Sequence, residues 1–359
     1  MSRHRLVTSS PDRARNHRAL LVCLSALMAL ASLLAAQGAT STATAASSQA
    51  PSATFPAPIK HVFVIVEENR DWATIKGSAT FPYINSLLAI GAHAENYRNV
   101  PEGEKLHPSE PNYIVMEAGS ELGFDSDHKP SAKNSSDTKD HLVTYLENAG
   151  LSWKSYQEDI SGTNCPLEDE GDYAPKHNPM LFFQDVTDNN DPNSANCIKH
   201  VRPYSELASD LDHNTVADYN FVTPNLCNDM HDKGCDKQAD TWLSREIPKI
   251  MASAAYKDNG AIFLTWDEGV KGNEPIGMIV LSPLAKAGYS NTIAYSHTSL
   301  LRTLQEIFGV TPLLRGAADA TDLSDLFMTG GAATPPGQSV PSPAATPVAM
   351  NGDRRLSQV

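Results

Sequence analysis

"HVFVIVEENR", residues 61–70, is a nearly continuous apolar run that ends abruptly in two glutamates, an asparagine and an arginine. A strand with one face in water would alternate apolar and polar residues. Val62 to Val66 does not, so the run reads as a strand covered on both faces. Three other runs share this character: "YNFVTP" (219–224), "AIFLTW" (261–266) and "GMIVLSP" (277–283). Between them lie stretches with helical spacing: "PYINSLLAIGA" after Phe81, "DHLVTYLENAG" ending at Gly150, "TWLSREIPKIMASAAY" after Asp240, and "SHTSLLRTLQEIFG" ending at Gly309. Polar or capping residues stand near their starts and glycine near three of their ends. Buried strands alternating with amphipathic helices predict an α/β fold, a mostly parallel sheet flanked by helices.

Open sheets of this kind bind ligands at the carboxyl ends of their strands. The first strand runs into Glu67, Glu68, Asn69 and Arg70, and the strand at 261–266 runs into Asp267 and Glu268. The strand at 219–224 leads within a few residues to Asp229, His231 and Asp232. Three strands therefore deliver carboxylates, an amide and an imidazole to one edge, which a purely structural role does not require. Carboxylates plus an asparagine carbonyl make an oxygen-rich donor set, suited to calcium, magnesium or manganese rather than to a soft metal.

A second feature is "LHPSEPNY", residues 106–113. Pro108 and Pro111 fix φ, so the segment is expected to be a stiff, non-repetitive loop that presents Ser109 as a candidate nucleophile. The G-x-S-x-G turn of carboxylic-ester serine hydrolases is absent around it, since Pro108 and Glu110 are its flanks. The segment "DVTDNNDPN" from Asp185 lacks the spacing and glycine of an EF-hand and reads as a solvated turn.

The chain has 359 residues, 41% hydrophobic and 19% charged, enough for one large domain or two small ones, and shows no internal repeat. Residues 1–46 place five arginines before an apolar run from Ala19 to Ala36 and then small residues, the layout of a secretory signal peptide. An uncleaved N-terminal membrane anchor is the alternative, and either puts the rest outside the cytoplasm. Residues 47–56 form a linker, 57–330 the catalytic body, and 331–359 a Pro/Ala-rich tail expected to be disordered.

The chain carries a formal charge of −14; with five arginines and only Asp12 removed, the secreted part is near −18. That excludes nucleic-acid binding by backbone attraction, and no protein partner is evident. A protein this acidic that handles an anionic substrate needs concentrated positive charge, which a bound cation supplies. Beyond Cys23, four cysteines remain in an oxidising setting, and the expected pairs are Cys165 with Cys197 and Cys227 with Cys235. A zinc site is the competing reading, but there is no CxxC.

Taken in order, "HVFVIVEENR", "HPSEPNY", "KHNPMLFF", "PNLCNDMHD", "TWDEG" and "SHTSLLRTLQEIFG" resemble the phosphoesterase family that joins bacterial secreted acid phosphatases and phospholipases C, over about residues 57–312. The resemblance implies an alkaline-phosphatase-like fold and a metal-assisted serine nucleophile. It assigns Glu68 and Asn69 as one pair of metal ligands, Asp267 and Glu268 as the other, and Ser109 as the nucleophile that also touches the metal. Asn112 would hold the transferring phosphoryl oxygens, and His177 and His231 would line the phosphate pocket. His107 stands in for a further histidine that some members carry. Glu67, Asp232 and His297 are runners-up, with His297 read as a surface residue opening the last helix.

The expected activity is that of a secreted, metal-dependent acid phosphatase acting on phosphate monoesters, membrane phosphoinositide headgroups among them. In this chemistry His177 and His231 donate hydrogen bonds as imidazolium and protonate the departing alkoxide. A phospholipase C-type phosphodiesterase is the alternative. A secreted calcium-binding module is the non-enzyme alternative, and it leaves Ser109, Asn112 and the two histidines without a purpose.

Overall fold

The computed structural model describes residue 55 and residues 57–101, 103–271 and 274–328. Residues 1–46, most of the linker and the tail from 331 lie outside the described residues, so the signal peptide, anchor and disordered-tail expectations concern segments outside them. Among the described residues no helix is long and apolar enough to cross a membrane.

Eight strands form one sheet: β1 (Val62–Glu67), β2 (Ala92–Ala94), β3 (Trp153–Gln157), β4 (Val201–Pro203), β5 (Tyr219–Thr223), β6 (Ala261–Trp266), β7 (Met278–Leu281) and β8 (Ser290–Asn291). Their order is β4-β3-β5-β1-β6-β7-β2-β8. Every residue of β1, β5, β6 and β7 is buried, as their unbroken apolar runs predict. β1 lies between β5 and β6 and is parallel to both, with Val62 opposite Tyr219 on one side and Ala261 on the other. The carboxyl ends of these three strands therefore share one edge. Only β7 runs against its neighbours β6 and β2, so the sheet is mostly parallel.

The helices that bear on the site are α1 (Pro82–Leu87), α2 (Ser109–Ala118), α3 (Leu142–Asn148), α4 (Asp236–Ala252) and α5 (His297–Phe308). α1 is shorter than expected because the chain must turn into β2, and at Gly91 a Cβ would stand 2.6 Å from the Val280 carbonyl. α4 begins five residues earlier than its apolar spacing indicates and tolerates Pro248 near its end. α5 keeps its expected span, closed at its start by a capping box between Ser296 and Ser299.

Residues 109–113 do not form the loop expected of them. They open α2, whose ten residues are all buried. Pro108 is the N-cap and Pro111 the third helical residue, and neither position has an intrahelical acceptor for an N–H, so the prolines start this helix instead of breaking it.

The far end of α2 is fixed by buried Glu117, whose Oε1 accepts from the Val143 N–H at 2.8 Å and lies 2.9 Å from His141 Nδ1. The other ring nitrogen of His141 faces Asp185 Oδ1 at 3.1 Å, and the ring stacks on Phe183. Asp185 is thus drawn inward by a buried histidine and does not belong to a solvated turn. Both expected disulfides are present, Cys165–Cys197 and Cys227–Cys235, with Cα–Cα distances of 5.4 and 5.1 Å.

Candidate active site

β1 and β6 end side by side, and their terminal residues tie the edge together through backbone contacts. The Glu68 N–H donates to the Asp229 carbonyl at 2.7 Å and the Asp267 N–H to the Glu67 carbonyl at 2.9 Å. Asn69 turns the chain out of β1 with φ of 45°, a left-handed conformation that asparagine tolerates better than most residues. That turn lets its N–H donate to Asp267 Oδ1 at 3.0 Å and its side-chain amide to Glu68 Oε2 at 3.1 Å. Glu68, Asn69 and Asp267 are therefore in direct contact.

Ser109 comes to this cluster from α2. Its hydroxyl donates to Glu68 Oε2 at 3.0 Å from the first position of the helix, where unpaired backbone N–H groups favour negative charge. One turn on, Asn112 Nδ2 donates to the Pro108 carbonyl at 3.0 Å and to Glu268 Oε2 at 3.3 Å, while its Oδ1 accepts from Asn99 at 2.9 Å. The same Glu268 oxygen lies 2.5 Å from His107 Nδ1, whose side chain is 58% exposed.

The histidine side of the site comes from the turn Pro175–His177 and from the disulfide-closed loop after β5. His177 is buried, with Nε2 3.2 Å from Glu68 Oε1 and Nδ1 3.4 Å from Asp229 Oδ2. His231 stands with its ring centre 5.5 Å away; its N–H donates to Asp229 Oδ1 at 2.7 Å and its Nδ1 lies 3.1 Å from Asp232. Burial, helped by the nearby Lys176 and His231, drives the His177 pKa well below its ordinary value. Burial thus works against the imidazolium form expected of His177.

Burial and mutual repulsion dominate the electrostatics of the edge. Burial lifts Glu68 well above the carboxylate range, and Asp267 and Asp229 add to the rise. Asp229 is raised by burial and by Asp267, although the His231 N–H works the other way. Burial carries Asp267 up to about 6 against the N–H of Asn69 and the hydroxyl of Ser109, and it pushes Glu268 up to about 9 with Asp267 and Asp127 adding repulsion.

Oδ2 of Asp267, Oδ2 of Asp229 and Nε2 of His177 are buried without a hydrogen-bond partner among the described residues. Like-charged buried carboxylates with orphaned oxygens fit a divalent cation, which would lower every one of these pKa values. Two donor groups overlap at Glu68. One is the oxygen-rich set Glu68, Asn69, Asp267 and Glu268; in the other, Glu68, His177 and His231 have ligand atoms within 4.8 Å of one another. Ser109 donates to Glu68, which both sets share, and also acts on Asp267, which belongs to the oxygen-rich set.

All nine expected site residues converge on this edge. Among the runners-up, Glu67 is buried with both carboxylate oxygens unpartnered, and Asp232 is an exposed partner of His231. His297 is not at the surface: it is fully buried, with Nε2 2.6 Å from the Asp267 carbonyl and Nδ1 3.0 Å from the Tyr97 hydroxyl, and burial takes its pKa down to about 4. Sequence reasoning left Asp229 without a role and missed Tyr113 and Lys176. The Tyr113 hydroxyl donates to Glu68 Oε1 at 2.6 Å and its ring stacks on His177. Tyr113 and Lys176 each neighbour an assigned residue, Asn112 and His177, and that adjacency was the available signal.

A family model described as the phosphoesterase family matches residues 103–311. A phosphatidylinositol-3-phosphatase from Mycobacterium tuberculosis is 32% identical over 270 residues, covering 74% of this chain and 82% of that protein. A probable acid phosphatase from Kluyveromyces lactis is 27% identical over 280 residues, and a phosphate-repressible acid phosphatase from Penicillium chrysogenum 27% over 221. The matches cover 74% and 58% of this chain, and only 62% and 51% of those longer fungal proteins. Among solved structures, murine ectonucleotide pyrophosphatase/phosphodiesterase 5 superposes with a TM-score of 0.50 at 11% identity, covering 75% of this chain and all of that one, which shows a shared fold. A protein in the alkaline phosphatase superfamily from Vibrio parahaemolyticus superposes at 0.49 with 11% identity, covering 74% and 71%.

Proposed function

The chain belongs to the phosphoesterase family and is a phosphoric ester hydrolase, and from that premise we propose that it is a secreted, metal-dependent acid phosphatase whose nucleophile is Ser109. The observation that carries this reading is the Ser109 hydroxyl, held 3.0 Å from Glu68 at the start of a buried helix, close to Asp267, which has one buried carboxylate oxygen with no hydrogen-bond partner among the described residues. Two disulfides support the secreted setting.

Glu68, Asn69, Asp267 and Glu268 would hold the cation, with Ser109 Oγ adjoining it. A bound divalent ion supplies positive charge that polarises the ester and favours the alkoxide form of serine. Ser109 Oγ attacks phosphorus while the bond from phosphorus to the alcohol oxygen breaks, leaving a phosphoserine. His231, more accessible than His177, gives its proton to the departing alkoxide. Water, giving one proton to His231, then attacks the phosphoserine; the bond from phosphorus to Oγ breaks, phosphate leaves, and Oγ takes back from solvent the proton it released before its attack.

Tyr113 orients Glu68 through the hydrogen bond to its Oε1, with His177 stacked on the Tyr113 ring. Asn112 orients Glu268 and offers its amide to the phosphoryl oxygens. The relative named a phosphatidylinositol-3-phosphatase supports a phosphoinositide headgroup as one substrate.

Replacing Ser109 by alanine removes the attacking oxygen from a preformed site, so p-nitrophenyl phosphate turnover should fall by about three orders of magnitude or more while the melting temperature hardly changes. A metal-replete Ser109→Ala protein that keeps a tenth of wild-type turnover would remove Ser109 from the mechanism.

A further inference from the structure

The edge that binds the phosphate ester presents Glu68, Asp229, Asp267 and Glu268, while the substrate is itself an anion. A cation held by those carboxylates neutralises them, but the substrate's own charge still needs a partner. Arg70, which leaves β1 beside the cluster, does not supply one. Its Nε donates to Asp236 at 2.8 Å, Nη2 to the Met230 carbonyl at 2.9 Å and Nη1 to the Asn69 carbonyl at 2.8 Å.

Lys176 is placed differently. It sits in the turn Pro175–His177, its side chain 20% exposed, with Nζ 3.4 Å from His231 Nε2. Among the described residues, its one carboxylate within hydrogen-bonding distance is Asp127, at 2.8 Å. The ammonium also acts on Glu68, Asp229 and Glu268, lowering the pKa of each. A lysine ammonium has three donors, and here one is committed to Asp127 while the rest of the group faces the histidine assigned to the leaving alkoxide.

We propose that Lys176 sets the preference of this site for phosphate monoesters over diesters. The inference rests on the hydrolase reading of the same site and deepens it. Near neutral pH a monoester is largely a dianion, with one more negative oxygen than a diester. A fixed ammonium at the rim of the site attracts that extra charge in both the bound ester and the transition state. A diester has an esterified oxygen at that position and gains little from the ammonium.

A purely structural role for Lys176 is the competing account. Asp127 Oδ1 accepts from the Glu110 N–H at 3.0 Å in the first turn of α2, so the Lys176–Asp127 pair also braces the residue beside Ser109. The two roles separate when both ester classes are measured on the same protein.

The experiment compares kcat/KM for p-nitrophenyl phosphate and for bis(p-nitrophenyl) phosphate at pH 7.5 in metal-replete wild type, Lys176→Gln, Lys176→Arg and Asp127→Asn. Lys176→Gln should lose about 100-fold on the monoester and less than about 3-fold on the diester, and Lys176→Arg should recover the monoester rate to within about 10-fold of wild type. Asp127→Asn should leave the monoester-to-diester ratio within about 3-fold of wild type, whatever its absolute rates. Equal losses on both esters in Lys176→Gln, or no loss on either, overturn the assignment. A wild-type protein that hydrolyses neither ester refutes the hydrolase reading itself, which is a different result from an unchanged ratio.

Discussion

Asp267 has one carboxylate oxygen that accepts from the Asn69 N–H and another that is buried with no partner. Replacing it by asparagine keeps the shape and removes a charge from a crowded group. Asp267→Asn should therefore weaken metal binding and phosphatase turnover at least about 100-fold, while the melting temperature of the metal-free protein stays level or rises as repulsion is relieved. Calorimetric metal titration and apo melting of that variant check both halves. His141 offers a second test, in the pH dependence of stability. Burial disfavours its charge, but hydrogen bonds to Asp185 and Glu117 outweigh that and raise its pKa to about 8. A folded pKa above the unfolded value of about 6.5 means the stabilisation is complete below pH ~6.5 and lost as pH rises through ~8; it is on the order of 2 kcal/mol. The melting-temperature gap between wild type and His141→Gln should be widest near pH 6 and narrow above about pH 8, and a gap that widened with pH would contradict the assignment. Glu68, Asn69, Asp267 and Glu268 were legible in the sequence because polarity changes abruptly where their strands end. Tyr113 and His141 were not, because a tyrosine or histidine among apolar residues looks the same whether it orients a carboxylate or merely fills the core.

At the level of elements, α2 decides where Ser109 stands. The helix ends at Gly119, which has φ of 74°, and a Cβ there would lie 2.5 Å from the Leu314 carbonyl oxygen. Both the left-handed conformation and the backbone contact oppose any larger residue, so Gly119→Ala should cost about 2–4 kcal/mol and lower the melting temperature by several degrees. A melting temperature within a degree of wild type would show that α2 can end differently. The Cys227–Cys235 bridge closes the loop that carries Asp229 and His231. Its removal by paired serine substitutions should destabilise the protein by about 2.5 kcal/mol on the loop-entropy estimate, with turnover falling more steeply than stability because both side chains belong to the site. The four long apolar strands could be read directly, whereas β3 could not, because its buried Ser155 and Gln157 look like loop polarity. They are satisfied internally, Ser155 by Asn178 and Gln157 by Thr223. α2 was hidden for the opposite reason: two prolines that usually rule out a helix occupy the few positions where a helix start accommodates them.

Across the whole molecule, the mostly parallel order of the sheet brings together residues almost 200 positions apart, since β5, β1 and β6 end on one edge. That convergence follows from the strand pattern and the carboxyl-end rule, which is why the site's location was readable before its geometry was. At this edge the buried carboxylates have pKa values raised by burial and mutual repulsion. Metal-dependent turnover is the expected consequence, and a titration checks it. Protein stripped with chelator is returned to calcium, magnesium or manganese in increasing amounts while the initial rate of p-nitrophenyl phosphate hydrolysis is followed. The predicted result is turnover at least about 100-fold below the replete rate in the stripped protein, with saturable recovery as one of these ions is added. Full turnover in the stripped protein, with no response to any of the three ions, would contradict it.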